Sequence, residues 1–131
     1  MNQESGENKI KSFTDLNVWR EGHKLVLKIY SVTKQFPNEE IFGLSNQMRR
    51  SAVSVTSNIA EGFSRISFKE KVQFYSMVLA SLTELQNQLL ISKDVKYISL
   101  EQFRNLAQRS VVVHKLINGL IKSSRLRSHN S

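Results

Sequence analysis

The 131-residue sequence contains no cysteine, which excludes a disulfide framework and thiol chemistry and removes the usual ligands of structural zinc sites. It has one proline and five glycines, too few for the frequent turns of an all-β protein, so long helices are favoured. The polar N-terminal stretch does not resemble a signal peptide, and no run approaches the roughly 18 apolar residues of a transmembrane helix. We therefore expect one cytoplasmic domain that buries a single core without a metal or cofactor.

Positive charge is the strongest compositional signal. The formal net charge is +8 and the pI is about 10.0, which favours anionic partners, with nucleic acid ahead of membrane surfaces. The segment 99–131 carries six cations against one acidic residue, Glu101. The six are Arg104, Arg109, Lys115, Lys122, Arg125 and Arg127. The alternative is that these charges form an ordinary solvated helix end, where cations also complement the helix dipole.

Residues 42–65 form the most informative stretch, because an apolar helical period runs beside a polar one. The apolar face comprises Leu44, Met48, Ala52, Val55, Ile59 and Phe63. The polar stripe comprises Gln47, Arg50, Ser54, Asn58 and Glu61. An unpartnered buried polar group costs about 1–3 kcal/mol, so the stripe predicts a hydrogen-bonded seam with another helix. Its alternative is a ligand or catalytic site. We predict that Ser45 caps this helix and that Gly62 ends it in a left-handed conformation. The alternative for Gly62 is a close approach to a neighbouring backbone or a phosphate.

Three further helices are predicted. The first runs from Leu16 to Gln35 after a cap at Thr14 or Asp15. Its broad apolar stripe contains Trp19, His23, Val26, Tyr30 and Thr33, flanked by Leu16, Leu25, Ile29 and Phe36. A capping box at Ser67 begins the third helix, which ends near Ser92. A second capping box at Ser99 begins the fourth helix. Together they predict an all-α, antiparallel, up-down-up-down four-helix bundle over residues 13–122. Residues 1–12 are expected to be disordered, and residues 123–131 to form a flexible basic tail.

Trp19 and His23 each allow two interpretations. Trp19 is expected to anchor the core or a subunit interface, and its alternative is a platform for base stacking. His23 is expected to pack with one nitrogen hydrogen-bonded, and its alternative is a proton shuttle. The three histidines are dispersed, so we predict no metal site.

Several dispersed motifs resemble the four-helix-bundle proteins encoded in intervening sequences of bacterial 23S ribosomal RNA genes. They are Phe13 to Trp19, Phe36-Pro37, Phe42-Gly43-Leu44, Gln47 to Ser54 and Asn58 to Phe63. The similarity continues through Tyr75, Leu82, Leu85 and Leu89 to about Ile121. The resemblance implies a four-helix bundle that assembles into a ring-like homopentamer, no enzymatic activity, and a role in binding RNA or other nucleic acid.

Charge and resemblance together predict a non-catalytic oligomer that binds nucleic acid, structured RNA above all, through phosphate contacts. The six cations of residues 99–131 are the main candidates, followed by Arg49 and Arg50. For Arg50 the alternative is an ion pair with Glu61 or another acid in the seam. A second hypothesis is a scaffold or accessory subunit for a protein such as the reverse transcriptase of a diversity-generating retroelement, whose accessory proteins resemble this family in architecture. An enzyme is the weakest reading, because Asn58, Glu61 and Glu84 are better explained as a structural polar cluster.

Overall fold

The computed structural model describes residues 9–130, with side chains for residues 9–128. This part of the chain contains no strand and four α-helices: α1 (Asn17–Thr33), α2 (Leu44–Ser64), α3 (Phe68–Asp94) and α4 (Leu100–Asn130). Short 3₁₀ turns at Phe13–Asp15 and Asn38–Glu40 precede α1 and α2. Helices α1 and α3 each pack against both α2 and α4. The prediction of an all-α four-helix bundle is confirmed, whereas the predicted disorder of residues 1–8 lies outside the described residues.

The core forms where apolar residues recur at helical spacing. On α2, Met48, Ala52, Val55 and Ile59 are completely buried, while Leu44 and Phe63 pack at the edge, which confirms the predicted apolar face. The largest fully buried side chains on the other helices are Tyr75, Leu25, Ile29, Val78, Leu82, Leu85, Leu89, Val113 and Ile117. Such burial contributes about 1.5–3 kcal/mol for each large aliphatic side chain.

The predicted apolar stripe of α1 is rotated relative to the observed one. The buried residues are Val18, Gly22, Leu25, Val26, Ile29, Val32 and Thr33. Tyr30 is 38% exposed and His23 is exposed, so neither belongs to the centre of the stripe. Trp19 is half-buried and packs against the core cluster. The predicted flanking residues Leu16, Leu25, Ile29 and Phe36 are buried, so the breadth of the stripe is confirmed and its centre was misplaced. The reason is that α1 carries apolar residues on two adjacent faces, and the helical period alone does not decide between them.

Helices α1 and α2 begin differently from the prediction. Ser12, rather than Thr14, makes the reciprocal capping box with Asp15, and this box belongs to the 3₁₀ turn ahead of α1. At α2 the Glu40 carboxylate accepts a hydrogen bond from the Leu44 amide at 3.0 Å, and Ser45 is not the cap. A carboxylate at this position also suits the positive end of the helix dipole.

Gly62 serves close packing rather than helix termination. Helix α2 continues to Ser64, and no glycine in the described chain has a positive φ. A Cβ atom on Gly62 would lie 2.6 Å from Cε1 of Tyr75 in α3, which is well inside van der Waals contact. The predicted left-handed cap is therefore wrong, because glycine is required here to let α3 approach α2.

The capping prediction for α4 is confirmed, and α4 is longer than expected. Ser99 Oγ accepts from the Gln102 amide at 3.0 Å, and Gln102 Oε1 accepts from the Ser99 amide at 2.9 Å. At α3, Ser67 Oγ accepts from the Glu70 amide. Helix α4 continues through residues 123–130 with Ser124 buried, so this stretch is helical and not the flexible tail that was predicted; residue 131 lies outside the described chain.

Candidate nucleic-acid interface

Four cations lie along the solvent-facing side of α4. Arg104, Lys115, Lys122 and Arg125 are all exposed. Their spacings of eleven, seven and three residues keep them within roughly 80° of one another on a helix, and about 30 Å separates the first from the last. We call these four residues the α4 row. Among the described residues, no ion pair engages a member of the row.

The other two predicted cations of α4 point elsewhere. Arg109 is half-buried, and its Nη1 lies 3.8 Å from Oε1 of Glu21 on α1. Glu21 also pairs with Lys24 at 3.1 Å. Arg127 is exposed, and its guanidinium lies 5.8 Å from the ring centre of Phe68. Both residues therefore contact neighbouring helices and flank the α4 row.

A depression between α3 and α4 extends the positive surface. Its volume is about 360 Å³, and its lining includes Lys69 and Gln73 of α3 beside Arg125 and Ser128 of α4. Lys69 and Arg125 thus place two cations at one concave site. Concave cationic surfaces suit the phosphate backbone of nucleic acid, since phosphate contacts require charge density rather than a sequence motif.

Arg49 and Arg50 line a separate depression of about 510 Å³ at the junction of α1 and α2. Arg49 Nε donates to Thr33 Oγ1 at 2.9 Å, and the guanidinium lies 4.7 Å from the ring centre of Tyr30. Arg50 is exposed. The alternative ion pair of Arg50 is not found, since Glu61 lies about 16 Å farther along the same helix and pairs with Arg65 at 2.6 Å. No ion pair among the described residues includes Arg50.

The predicted polar seam contains a short hydrogen-bonded chain between α2 and α3. Asn58 Nδ2 donates to the Ser54 carbonyl at 2.9 Å and to Ser54 Oγ at 3.0 Å. Ser81 Oγ of α3 donates to Ser54 Oγ at 2.9 Å. Gln47, Glu61 and Glu84 are exposed, so these two carboxylates do not form a buried cluster with Asn58. Gln47 and Glu84 instead line a surface depression with Arg50 and Phe42.

Carboxylates with shifted pKa values serve the fold. The pKa of Glu40 is lowered first by the Leu44 amide and then by the Tyr97 hydroxyl, which donates to Glu40 Oε2 at 2.8 Å. The amides of Lys11 and Ser12 lower the pKa of Asp15. The tie between Tyr97 and Glu40 was not predicted, and its only sequence signal was the acidic pair before α2.

Aromatic stacking occurs beside the core and not on an open platform. The Trp19 and His23 rings stack with centres 4.7 Å apart, and Phe13 meets Trp19 edge-on at 5.4 Å. His23 is exposed, so its expected packing in the core is wrong. Within the described residues, no group of three or more histidine or acidic side chains is placed to hold a metal ion. No helix in this part of the chain has the length and hydropathy to cross a bilayer.

Comparison with known proteins gives one family match and one informative structure. The model of the 23S rRNA-intervening sequence protein family matches residues 14–119. A solved protein of unknown function from the S23 ribosomal protein family of Bacteroides thetaiotaomicron VPI-5482 has a similar fold. Its TM-score is 0.75 at 24% sequence identity, over 80% of this chain and 98% of that chain. No curated protein matches the sequence.

Proposed function

The chain belongs to the 23S rRNA-intervening sequence protein family, and from this premise we propose that it is a non-catalytic, oligomeric protein that binds nucleic acid, with structured RNA preferred. The α4 row carries the proposal. Its four exposed cations have no carboxylate within ion-pairing distance in the described chain, so all four are available for phosphates. Each phosphate contact releases condensed counterions, which makes binding favourable at low salt and steeply salt-dependent.

The assembly we propose is an antiparallel bundle that forms a ring-like pentamer. Antiparallel packing is supported by contacts at both ends of α1: Gly22 lies against Thr56 of α2, and Thr33 bonds Arg49. Self-association is supported by large exposed apolar side chains on the outer sides of α3 and α4. They include Met77, Leu90 and Ile91 of α3 and Val112 of α4. The number five comes from family resemblance, and it would raise the formal charge of one assembly to five times eight, or +40.

The absence of catalysis is likewise part of the proposal. General acid–base chemistry needs carboxylates or histidines held in a pocket beside a substrate. Four of the carboxylates have structural partners: Asp15 and Glu40 cap helical turns, and Glu21 and Glu61 pair with cations. The Ser54, Asn58 and Ser81 chain fits a structural seam that holds α2 and α3 in register.

The proposal is tested by binding of the purified protein to a structured RNA and to a duplex DNA of equal length, each across a salt series. Light scattering in the same buffers reports the molecular mass. We expect tight binding at low salt, a steep linear fall of log K with log salt, and preference for the RNA. A well-folded oligomer that binds neither nucleic acid near 100 mM salt would contradict the proposal.

The same exposed apolar residues of α3 also support a second candidate, a scaffold for a protein partner such as a reverse transcriptase. Met77 is 51% exposed and Ile91 is 41% exposed, and apolar surface of this kind marks protein contacts. Binding to nucleic acid separates the two candidates. A well-folded oligomer that binds neither nucleic acid near 100 mM salt would favour a protein partner, whereas an oligomer that binds RNA supports the leading proposal.

A further inference from the structure

The depression between α1 and α2 contains an arginine whose orientation is set from two sides. Nε of Arg49 donates to Thr33 Oγ1 at 2.9 Å. Thr33 is itself buried, and its hydroxyl donates to the Ile29 carbonyl at 2.7 Å. On its flat side the guanidinium lies over Tyr30 with 4.7 Å to the ring centre. One edge and one face of the guanidinium are therefore used for positioning.

The remaining edge of Arg49 is open for a ligand. Its hydrogen bond within the described chain is made by Nε. The two terminal nitrogens, Nη1 and Nη2, make no hydrogen bond or ion pair there. They border a depression of about 510 Å³ lined by Tyr30, Asn46, Arg49, Arg50, Val53 and Ser54. The lining contains two cations and no acidic residue. A planar guanidinium with a free edge is the donor geometry that binds phosphate oxygens in a bidentate manner.

Arg65 shows what a satisfied arginine looks like in the same molecule. Its guanidinium also lies over a ring, with 4.6 Å to the centre of Phe74. Its Nη2, however, is 2.6 Å from the carboxylate of Glu61, so its charge is already neutralised. Arg49 has the same half-buried, ring-stacked setting without the carboxylate. The two residues therefore differ in the carboxylate partner, and an anionic ligand would take its place at Arg49.

We propose that Arg49, with Arg50 beside it, forms a binding site for one phosphate group on the α1–α2 side of each chain. Arg49 binds two phosphate oxygens through its terminal nitrogens, and Arg50 adds charge from the adjacent position. Thr33 and Tyr30 are positioning residues. Glu84 lines the neighbouring depression with Arg50 but not the one with Arg49. The part of this inference that concerns nucleic acid rests on the proposed function, whereas the phosphate site itself does not.

The direct test follows the side-chain Nε–H signals of the arginines by NMR. The full chain is titrated at constant ionic strength with inorganic phosphate, with a nucleoside 5′-monophosphate and with a short single-stranded oligoribonucleotide. We expect a saturable shift of the Arg49 signal and none of the Arg65 signal. Saturation by the two monoesters alone assigns the site to terminal phosphates, and saturation by the oligonucleotide assigns it to backbone phosphates. A flat Arg49 signal in all three titrations would overturn the inference.

Variants separate geometry from charge. Arg49→Lys keeps the positive charge but loses the planar guanidinium group that can bind two oxygens at once. We expect phosphate affinity to fall about tenfold, which corresponds to about 1.4 kcal/mol. The matched control is Arg65→Lys, which removes a ring-stacked guanidinium group that is already paired with a carboxylate. It should leave phosphate affinity unchanged. Equal affinities for wild type and Arg49→Lys would overturn the site.

A second variant guards against a folding defect at Arg49. Thr33→Val preserves shape but removes the acceptor of Arg49 Nε, and we expect affinity to fall several-fold while the charge is unchanged. Failure of the phosphate site would leave RNA binding by wild type intact through the α4 row. Failure of the proposed function would appear as an absence of RNA binding by wild type. The two failures are therefore distinguishable.

Discussion

The turn between α2 and α3 and the outer side of α4 use positive charge in opposite ways. At the turn, which we call the α2–α3 corner (residues 61–75), Arg65 pairs with Glu61. Lys71 Nζ donates to the Phe63 carbonyl at 2.6 Å, and burial lowers the pKa of its ammonium. In the α4 row, by contrast, four cations face solvent with no carboxylate within ion-pairing distance in the described chain. The same residue types thus stabilise the fold in one region and remain available for a partner in the other.

The two regions also differ in packing. Gly62 at the corner lets the Tyr75 ring approach α2, whereas Gly119 on α4 has no heavy atom within 4 Å of the place where a Cβ would lie. Tight packing leaves little room for change, and an open helix face tolerates it. We conclude that substitutions at the corner should change stability, and that substitutions in the α4 row should change binding.

The largest effect is expected from removing the α4 row. Replacing Arg104, Lys115, Lys122 and Arg125 by glutamine should weaken RNA binding by about 100-fold or more near 100 mM salt, because each lost phosphate contact forfeits counterion release. Fluorescence anisotropy with a labelled RNA measures the affinity. Thermal unfolding should be nearly unchanged, since surface substitutions of this kind usually alter stability within about 0.5 kcal/mol each. Undiminished RNA affinity would remove the α4 row from the interface.

The next largest effect is expected at the corner. Gly62→Ala should lower the free energy of unfolding by about 1–3 kcal/mol, because the added methyl overlaps the Tyr75 ring and forces α2 and α3 apart. Chemical denaturation monitored by circular dichroism measures the change. RNA affinity of the folded variant should match wild type. A variant as stable as wild type would show that the corner is looser than the structure indicates.

Gly119 provides the counterpart on α4. Gly119→Ala should raise the free energy of unfolding by about 0.5–1 kcal/mol, because alanine loses less conformational entropy than glycine in a helix and meets no neighbour here. The same denaturation experiment measures it. A loss of stability would mean that this face of α4 is covered in the assembled protein, and it would break the contrast between the two regions.

The smallest effect concerns Glu40, another charge that serves the fold. Its pKa is lowered by the Leu44 amide and then by the Tyr97 hydroxyl. A carboxyl group with a lowered folded-state pKa stabilises the protein above its unfolded-state pKa, and this contribution is lost as the pH falls through the folded-state pKa. Tyr97→Phe removes one donor, so the pKa of Glu40 should rise toward its ordinary value. An NMR titration of the carboxyl carbon checks this, and an unchanged pKa would contradict the contact.

Helix content and most of the core could be predicted from the sequence, because the period of α2 and the Ser99 capping box are local signals. The phase of α1 could not be predicted, since Val18 and Trp19 begin two apolar series with the same period. The polar, basic composition of residues 123–131 suggested a tail. No proline or capping glycine near residue 123 ends α4, however, and the helix in fact continues. A local sequence window does not reveal that Ser124 is buried.

The candidate sites show the same limit. The six cations of residues 99–131 were identified by charge density, but their division into the α4 row and the two flanking arginines depends on Glu21 and Phe68, which lie far away in sequence. The setting of Arg49 depends on Thr33 and Tyr30 of another helix. Likewise, the predicted role of Glu61 was wrong, because the pair with Arg65 one turn later competes with any contact across the seam.

The most direct test of the account compares two variants with the same loss of charge. One replaces the α4 row by glutamine. The other replaces four cations that already face a carboxylate, namely Arg20, Lys24, Arg65 and Lys93. Both have a net charge lower by four, and the salt dependence of RNA binding is measured for each beside wild type, after thermal melting confirms that both are folded.

The account predicts that the slope of log K against log salt falls by about 3 for the α4 variant, at roughly 0.7–0.9 for each phosphate contact. The slope of the second variant should stay close to that of wild type. Equal reductions in both variants would contradict the account, because binding would then follow net charge and not the position of the cations on α4.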